Sequence, residues 1–306
     1  MLASGQGDAP AQYRVAAIYT ARFLSGLVHG HLAYRHFFAI FDFIAALCSL
    51  LLVTNLLYRS KRYCASSETS RILRVMVLMG LSFYYLTWSM WYQRPETWLS
   101  VLFVTASLFV ISVVRSASVA VPVLVVLATI QGFVRADVAI LFHFGLLLFL
   151  IARGSKHFPA GRLALLFTSC LSGVVSTGIL WILMHKIFPH ATYGKTKVFQ
   201  LIANMSPNQF VPFLIFFVPT AYTYVRTRTS ETNDSAPEQA LRLSSAFYLV
   251  SWVLVGLVQE VRIFIPFAFA LMPQTANVLA DELERAMGIR NSVPRPDLSR
   301  ATRETE

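Results

Sequence analysis

Long apolar runs separated by short polar stretches make up most of this chain. Several runs approach the length of about 20 apolar residues that a helix needs to cross a bilayer. The pattern predicts an all-α fold, a polytopic transmembrane helical bundle of about nine spans. The predicted spans are residues 36–58, 72–92, 97–114, 117–134, 137–152, 163–187, 209–225, 243–259 and 262–274.

Residues 13–34 have a different pattern, because polar and apolar residues occupy opposite sides of a predicted helix. The polar side carries Arg14, Arg22, Ser25 and His29. The apolar side carries Val15, Tyr19, Phe23 and Leu27. This arrangement is typical of an amphipathic helix lying on a membrane surface, here the outer leaflet. A solvated helix packed on an outer loop is the alternative interpretation.

Composition supports a membrane protein, since 56% of the residues are hydrophobic and only 13% are charged. The net charge of +11 would suggest nucleic-acid binding in a soluble protein, but the basic residues concentrate in short loops between predicted spans. We therefore expect membrane lipid, and no nucleic acid, as a partner. The three cysteines lack the spacing of a zinc site or a disulfide framework.

Basic loop residues also predict the orientation, because Lys and Arg accumulate on the cytoplasmic side of membrane proteins. They follow the odd-numbered predicted spans: Arg59, Lys61, Arg62, Arg71, Arg74, Arg115, Arg153, Lys156, Arg162, Arg226, Arg228 and Arg242. The N-terminus is then extracytoplasmic and the C-terminus cytoplasmic. The predicted organisation is an extracytoplasmic segment with the amphipathic helix (1–34), the transmembrane bundle (35–275), and a cytoplasmic helix with a disordered tail (276–306).

Two charge clusters lie between apolar runs, Arg135-Ala136-Asp137 and Glu260-Val261-Arg262. An ionisable side chain at bilayer depth costs about 3 kcal/mol on insertion scales, so such residues normally line a polar cavity or meet a partner. Both clusters fall in predicted outer connections. Residues two apart on a helix point in nearly opposite directions, so we expect cross-pairing, with Arg135 on Glu260 and Arg262 on Asp137. Structural ion pairing alone is the alternative explanation.

The chemistry of these residues suggests a site for an anionic, lipid-linked substrate. Carboxylates can act as a general base or hold a divalent cation, the candidate cofactor, and guanidinium groups suit phosphate. The candidate catalytic or metal-binding acids are Asp137, Glu260 and Asp42. The candidate substrate-binding residues are Arg135, Arg262, Arg14, Arg22 and Arg94. Asp42 lies in the first span and could equally make an interhelical hydrogen bond.

Several short motifs carry a resemblance to a known family. They are Tyr13-Arg14-Val15 through Ala21-Arg22-Phe23-Leu24, the span with Asp42, Arg135-Ala136-Asp137, and Glu260-Val261-Arg262-Ile263-Phe264-Ile265-Pro266. Over residues 10–275 the chain resembles bacterial multi-pass proteins related to the GT-C glycosyltransferases. The resemblance implies an enzyme of the bacterial inner membrane that transfers a sugar from a polyprenyl-phosphate carrier on the extracytoplasmic side.

One departure from the GT-C pattern concerns the catalytic acid. In GT-C enzymes this acid normally lies in the first outer loop, after an initial span, whereas here only Asp8 lies in that region and no span precedes it. Either Met1 is an internal methionine of a longer chain or the acid has been lost. Asp137 and Glu260 are the substitute candidates for the base or metal ligand.

Two other functional classes are compatible with the sequence. A transporter or flippase of a lipid-linked anion would also use charged residues and broken helices, although it would typically show an internal repeat. A non-catalytic membrane subunit would use the charge clusters only to join its helices. The sequence contains no HExxH, P-loop, strand-linked GxGxxG or GxSxG motif, which excludes the enzyme classes that depend on them.

Overall fold

The computed structural model describes residues 14–27, 34–90, 95–153, 158–191, 199–229, 235–258 and 260–288. Every regular element in these ranges is helical, which confirms the predicted all-α class. The α-helices are α1 (Val15–Leu27), α2 (Tyr34–Arg59), α3 (Lys61–Cys64), α4 (Glu68–Met90), α5 (Pro95–Val113), α6 (Ala117–Ala152), α7 (Arg162–Ile182), α8 (Leu201–Asn204), α9 (Pro207–Thr229), α10 (Ala236–Val255) and α11 (Ile265–Ala286). A π-helical turn (Leu183–Ile187) extends α7, and a 3-10 turn (Val261–Ile263) precedes α11.

Five of the described helices are long and apolar enough to cross a membrane, which indicates a membrane protein. These segments are His36–Arg59, Glu68–Ser89, Glu96–Val113, Ala117–Ala152 and Arg162–Ile187. Large apolar side chains such as Phe43, Leu51, Phe83 and Phe167 are exposed along them. In a bilayer such side chains face lipid at no cost, because lipid tails are as apolar as the helix surface.

Helix α11 is the central helix of the bundle. It is buried without interruption from Ile265 to Val278 and packs against α2, α4, α5, α9 and α10. Pro266 lies at its start, where a missing backbone N–H is tolerated. Because α11 is enclosed by protein, it can carry polar residues such as Gln274 and Asn277, which are buried and hydrogen-bonded to neighbouring elements. The hydrophobicity of the α11 sequence therefore does not indicate how deeply the helix is buried in the bundle.

Helix α6 is broken at Arg135, whose backbone angles are φ −156° and ψ 88°. We name residues 117–134 its first arm and residues 136–152 its second arm. Ala128 and Phe142, one from each arm, line the same small cavity. In a continuous helix they would lie about 21 Å apart, so the two arms fold back towards each other. This agrees with the predicted separation of residues 117–134 from 137–152.

Helix α1 lies within residues 13–34, where the sequence predicts an amphipathic helix, and it packs on α2, α5 and α6. Its small residues Ala17 and Ala21 are buried against the bundle. Tyr19, Phe23 and Leu27, from the predicted apolar side, are exposed. The predicted apolar side of α1 therefore points away from the rest of the bundle.

For the C-terminal region the sequence predicts a domain boundary at residue 275 and a disordered tail. The boundary predicted at residue 275 falls inside α11, which continues to Ala286 as one helix. The continuation is stabilised by charged residues near its end, where Asp281 and Glu284 bind arginines of α3 and α4. The predicted disordered tail at residues 291–306 lies outside the described residues.

Candidate functional site

The break in α6 creates the centre of the candidate site by joining Arg135 to Asp137. Arg135 Nη2 lies 2.5 Å from Asp137 Oδ2, and Arg135 Nε lies 3.3 Å from Asp137 Oδ1. We expected these residues to point apart on a regular helix, and that expectation was wrong. Arg135 is not helical, and its extended backbone lets the guanidinium turn towards its own neighbour.

Tyr248 of α10 completes this group and fixes it to the next helix. Its hydroxyl donates to Asp137 Oδ2 at 2.9 Å and also contacts Arg135 Nη2. The guanidinium lies 5.9 Å from the centre of the Tyr248 ring, within the range of a cation–π contact. Helix α10 begins at a capping motif in which the Glu238 carboxylate accepts from the Ser235 backbone N–H and hydroxyl. Sequence reasoning missed Tyr248, because nothing local distinguishes it from other apolar-run tyrosines.

The second cluster lies beside the first, as predicted, but its pairing differs. Arg135 Nη1 donates to the backbone carbonyl of Ile263 at 3.3 Å, which joins the α6 break to the 3-10 turn. Arg262 Nη2 binds Glu260 Oε2 at 3.1 Å. The predicted cross-pairs of Arg135 with Glu260 and of Arg262 with Asp137 are therefore wrong. Each arginine binds the acid two positions away, because both clusters lie where the backbone leaves α-helical geometry.

A third ion pair connects α1 and α5 to the same end of the bundle. Arg14 binds Glu96 at 2.9 Å, and both side chains are largely buried. Arg14 also lies close enough to Asp137, and Glu96 close enough to Asp42 and Arg135, to interact electrostatically. Asp42 Oδ1 is buried and has no hydrogen-bond partner among the described residues. Glu96 was not predicted as a site residue, since it looked like an ordinary loop acid.

The exposed part of the site is acidic and its buried part is basic. The side chains of Asp137 and Glu260 are 47% and 39% exposed, whereas those of Arg135 and Arg262 are 2% and 7% exposed. Each arginine thus binds its carboxylate from the buried side of the site. This arrangement favours carboxylate chemistry at the surface of the site more than direct phosphate binding by these two arginines.

The remaining predicted residues are less informative. Arg22 lies on the exposed side of α1. Arg94 lies outside the described residues. For the predicted divalent cation, the described ranges contain no group of three or more His, Cys, Asp or Glu side chains that could hold a metal ion. Asp137 and Glu260 could supply two carboxylates, so any cation bound there would need further ligands from substrate or water.

A separate charge cluster, which sequence reasoning missed, lies where α3 and α4 meet the end of α11. Arg74 is buried and binds Asp281 at 2.7 Å and Glu284 at 3.6 Å. Arg62 binds Asp281 at 3.2 Å, and the Ser70 hydroxyl donates to Glu284. We interpreted these arginines only as orientation markers. Their partners lie more than 200 positions away in the chain, so no local pattern connects them.

No comparison assigns this chain to a known group. No family model matches it, and neither the curated proteins nor the solved structures that were searched contain a match.

Proposed function

We propose that this protein is a membrane enzyme of the glycosyltransferase type, which moves a sugar from a polyprenyl-phosphate carrier to an acceptor on the extracytoplasmic side. The observation that carries the proposal is the half-exposed Asp137 carboxylate held by the buried Arg135 and Tyr248. A carboxylate fixed on one side and open on the other can accept the proton of an attacking hydroxyl group. The family resemblance of the short motifs points to the same chemistry.

The proposed roles follow from exposure and hydrogen bonding. Asp137 is the general base, and Glu260 is a second acid available to substrate or to a divalent cation. Arg135 makes four hydrogen bonds to protein atoms and has five N–H donors, so its role is to position Asp137. For attraction of the phosphate the candidates remain those that the sequence suggests, Arg14, Arg22, Arg262 and Arg94.

We also propose nine membrane crossings, formed by α2, α4, α5, the two arms of α6, α7, α9, α10 and α11. The five apolar segments and the folded-back arms of α6 support this count. The Asp137 site is then extracytoplasmic, and the exposed apolar side of α1 rests on the outer leaflet. The basic corner of the bundle, which contains Arg59, Lys61, Arg62 and Arg74 near Cys64, faces the cytoplasm.

Cysteine labelling tests this topology. In a variant with Cys48 and Cys170 replaced by serine, the exposed Cys64 is the target for a membrane-impermeant maleimide. A second variant replaces Cys64 as well and carries Glu260→Cys. We expect Cys64 to react only in inverted vesicles, and the thiol introduced by Glu260→Cys to react only in right-side-out vesicles or intact cells. Labelling of both positions from one side would refute the nine-crossing topology.

The enzymatic proposal is tested with purified full-length protein, a panel of polyprenyl-phosphate sugars and a sugar acceptor, by measuring release of polyprenyl phosphate. We expect turnover that falls by about 10²–10⁴-fold in Asp137→Asn, the usual contribution of a general base. The matched control is Glu68→Gln, which changes an exposed acid in the first turn of α4. Absence of turnover across the panel, or equal activity of both variants, would contradict the proposal.

A transporter of lipid-linked anions is the second candidate, and the broken helix α6 favours it. Transporters commonly bind substrate where a discontinuous helix exposes charge near the middle of the bundle. Movement of a fluorescent polyprenyl phosphate across proteoliposomes, independent of any sugar, would support this candidate over the transferase. Protein that neither turns over nor transports the carrier would instead be a non-catalytic subunit.

A further inference from the structure

A cavity of about 210 Å³ lies at the end of the bundle opposite the Asp137 site. It is enclosed by the last turns of α2 and α5 and by the facing parts of α10 and α11. The apolar segments His36–Arg59 and Glu96–Val113 both end beside it, so it lies at the level where these helices would leave the membrane. Its inner wall is apolar and includes Leu56, Leu108 and Ala270.

Two basic side chains at the mouth of the cavity have no direct acidic partner among the described residues. Arg59 and Lys61 both line it. In the described part of the chain the Lys61 ammonium makes no hydrogen bond or ion pair, and Arg59 bonds only to Asn55, through Nε. This contrasts with Arg62 and Arg74 of the same corner, which bind acids of α11.

Hydroxyl groups add further donors to the same mouth. Ser60 Oγ accepts from the Tyr63 backbone N–H at 3.2 Å and from Asn277 Nδ2 at 3.1 Å, which leaves its own proton to donate. Ser112 lines the cavity from α5. Glu238 is the acid that lines this cavity, and its carboxylate accepts two hydrogen bonds from Ser235. The cavity therefore offers cationic and hydroxyl donors above an apolar interior.

We propose that this cavity binds an anionic membrane lipid, with the phosphate at Arg59, Lys61 and Ser60 and the first acyl carbons against the apolar wall. Basic pockets between helices at the cytoplasmic surface bind such headgroups, because charge-assisted hydrogen bonds hold the phosphate oxygens. The proposal does not rest on sugar transfer at Asp137, since it concerns the other end of the bundle.

Lipid binding to the purified full-length protein in neutral detergent tests the proposal. Native mass spectrometry would compare dioleoyl phosphatidylglycerol with dioleoyl phosphatidylcholine, which has the same chains and a zwitterionic headgroup. We expect phosphatidylglycerol to bind at least about tenfold more tightly, and Arg59→Gln with Lys61→Gln to remove most of that preference. The control Arg115→Gln removes an exposed charge that does not line the cavity and should leave the preference unchanged.

A second variant separates the cavity from general surface charge. Ser112→Trp keeps both basic residues and places a large side chain at the half-buried rim. It should weaken phosphatidylglycerol binding about as much as the double variant. The proposal is overturned if Ser112→Trp binds normally, if Arg115→Gln loses binding equally, or if inorganic phosphate at equal concentration displaces the lipid.

Discussion

The crossing of α6 and α10 at Gly145 provides the sharpest test of the packing around the site. A Cβ atom at position 145 would lie 2.5 Å from Ser244 Oγ, 2.8 Å from its Cβ and closer still to its Cα, whereas ordinary contacts begin at 3.4 Å. The nearest atom is backbone, so a rotamer change cannot relieve the clash. Gly145→Ala must therefore push the two helices apart by more than about 1 Å.

This separation acts on the site because Asp137 lies two turns from Gly145 on α6 and Tyr248 lies one turn from Ser244 on α10. We expect Gly145→Ala to cost about 3 kcal/mol through overpacking and lost contacts along the crossing. For a chain of 306 residues that corresponds to a fall of roughly 5 °C in apparent Tm. Tryptophan fluorescence during heating of the purified protein measures it.

Matched variants separate this clash from general effects of alanine. Gly173→Ala and Gly178→Ala on α7 meet no atom within 4 Å, so they should be neutral or stabilising by up to about 1 kcal/mol. Adding Ser244→Gly to Gly145→Ala removes two of the three clashing atoms and should recover part of the loss. An apparent Tm for Gly145→Ala equal to that of Gly173→Ala would refute the close crossing.

Three further predictions concern ion pairs and hydrogen bonds. Arg74→Gln leaves Asp281 and Glu284 without their buried arginine and should lower the free energy of unfolding by about 3–5 kcal/mol. The control Arg226→Gln breaks an exposed ion pair and should lower it by less than about 1 kcal/mol. Similar losses in thermal unfolding of the two variants would contradict the burial of Arg74. Arg14→Glu should make α1 more sensitive to protease, because the ion pair with Glu96 is lost. Adding Glu96→Arg to the same chain should restore the pair and the protection. If the double variant is cleaved as fast as Arg14→Glu, this ion pair does not hold α1 on the bundle. Tyr248→Phe should lower the free energy of unfolding by about 1–2 kcal/mol, because the Arg135 guanidinium and the Asp137 carboxylate each lose a hydrogen-bond partner. An unchanged Tm would contradict these hydrogen bonds.

The all-helical class was predictable because most of the long helices leave a local apolar pattern in the sequence. Helix α2 covers the predicted span 36–58, and α7 with its π-helical turn covers 163–187. The break in α6 was also visible, since a charged cluster interrupts an apolar run there. Helix α11 shows the limit of this reasoning. A helix surrounded by protein need not be apolar throughout, so the span and the helix that the sequence predicts on either side of residue 275 are one element.

The contacts of the site were less predictable, because they depend on backbone angles and on distant parts of the chain. The rule that residues two apart cannot pair holds for regular helices and fails at Arg135, where φ is −156°. Tyr248 and Glu96 reach the site from separate helices, and only the packing of α5, α6 and α10 brings them together. Sequence reasoning found the charged residues and their common location, but their partners required the fold.

The break at Arg135 accounts for both the cost and the use of charge in this apolar bundle. In an unbroken helix Arg135 and Asp137 would each need a partner from another element, and a buried guanidinium without a partner is costly. The extended backbone lets them neutralise one another, and the remaining guanidinium donors reach Tyr248 and the Ile263 carbonyl. One buried side chain thereby joins α6, α10 and the 3-10 turn. Because the arginine satisfies its donors inside the protein, the carboxylate keeps an open side, which is the geometry that a surface general base requires.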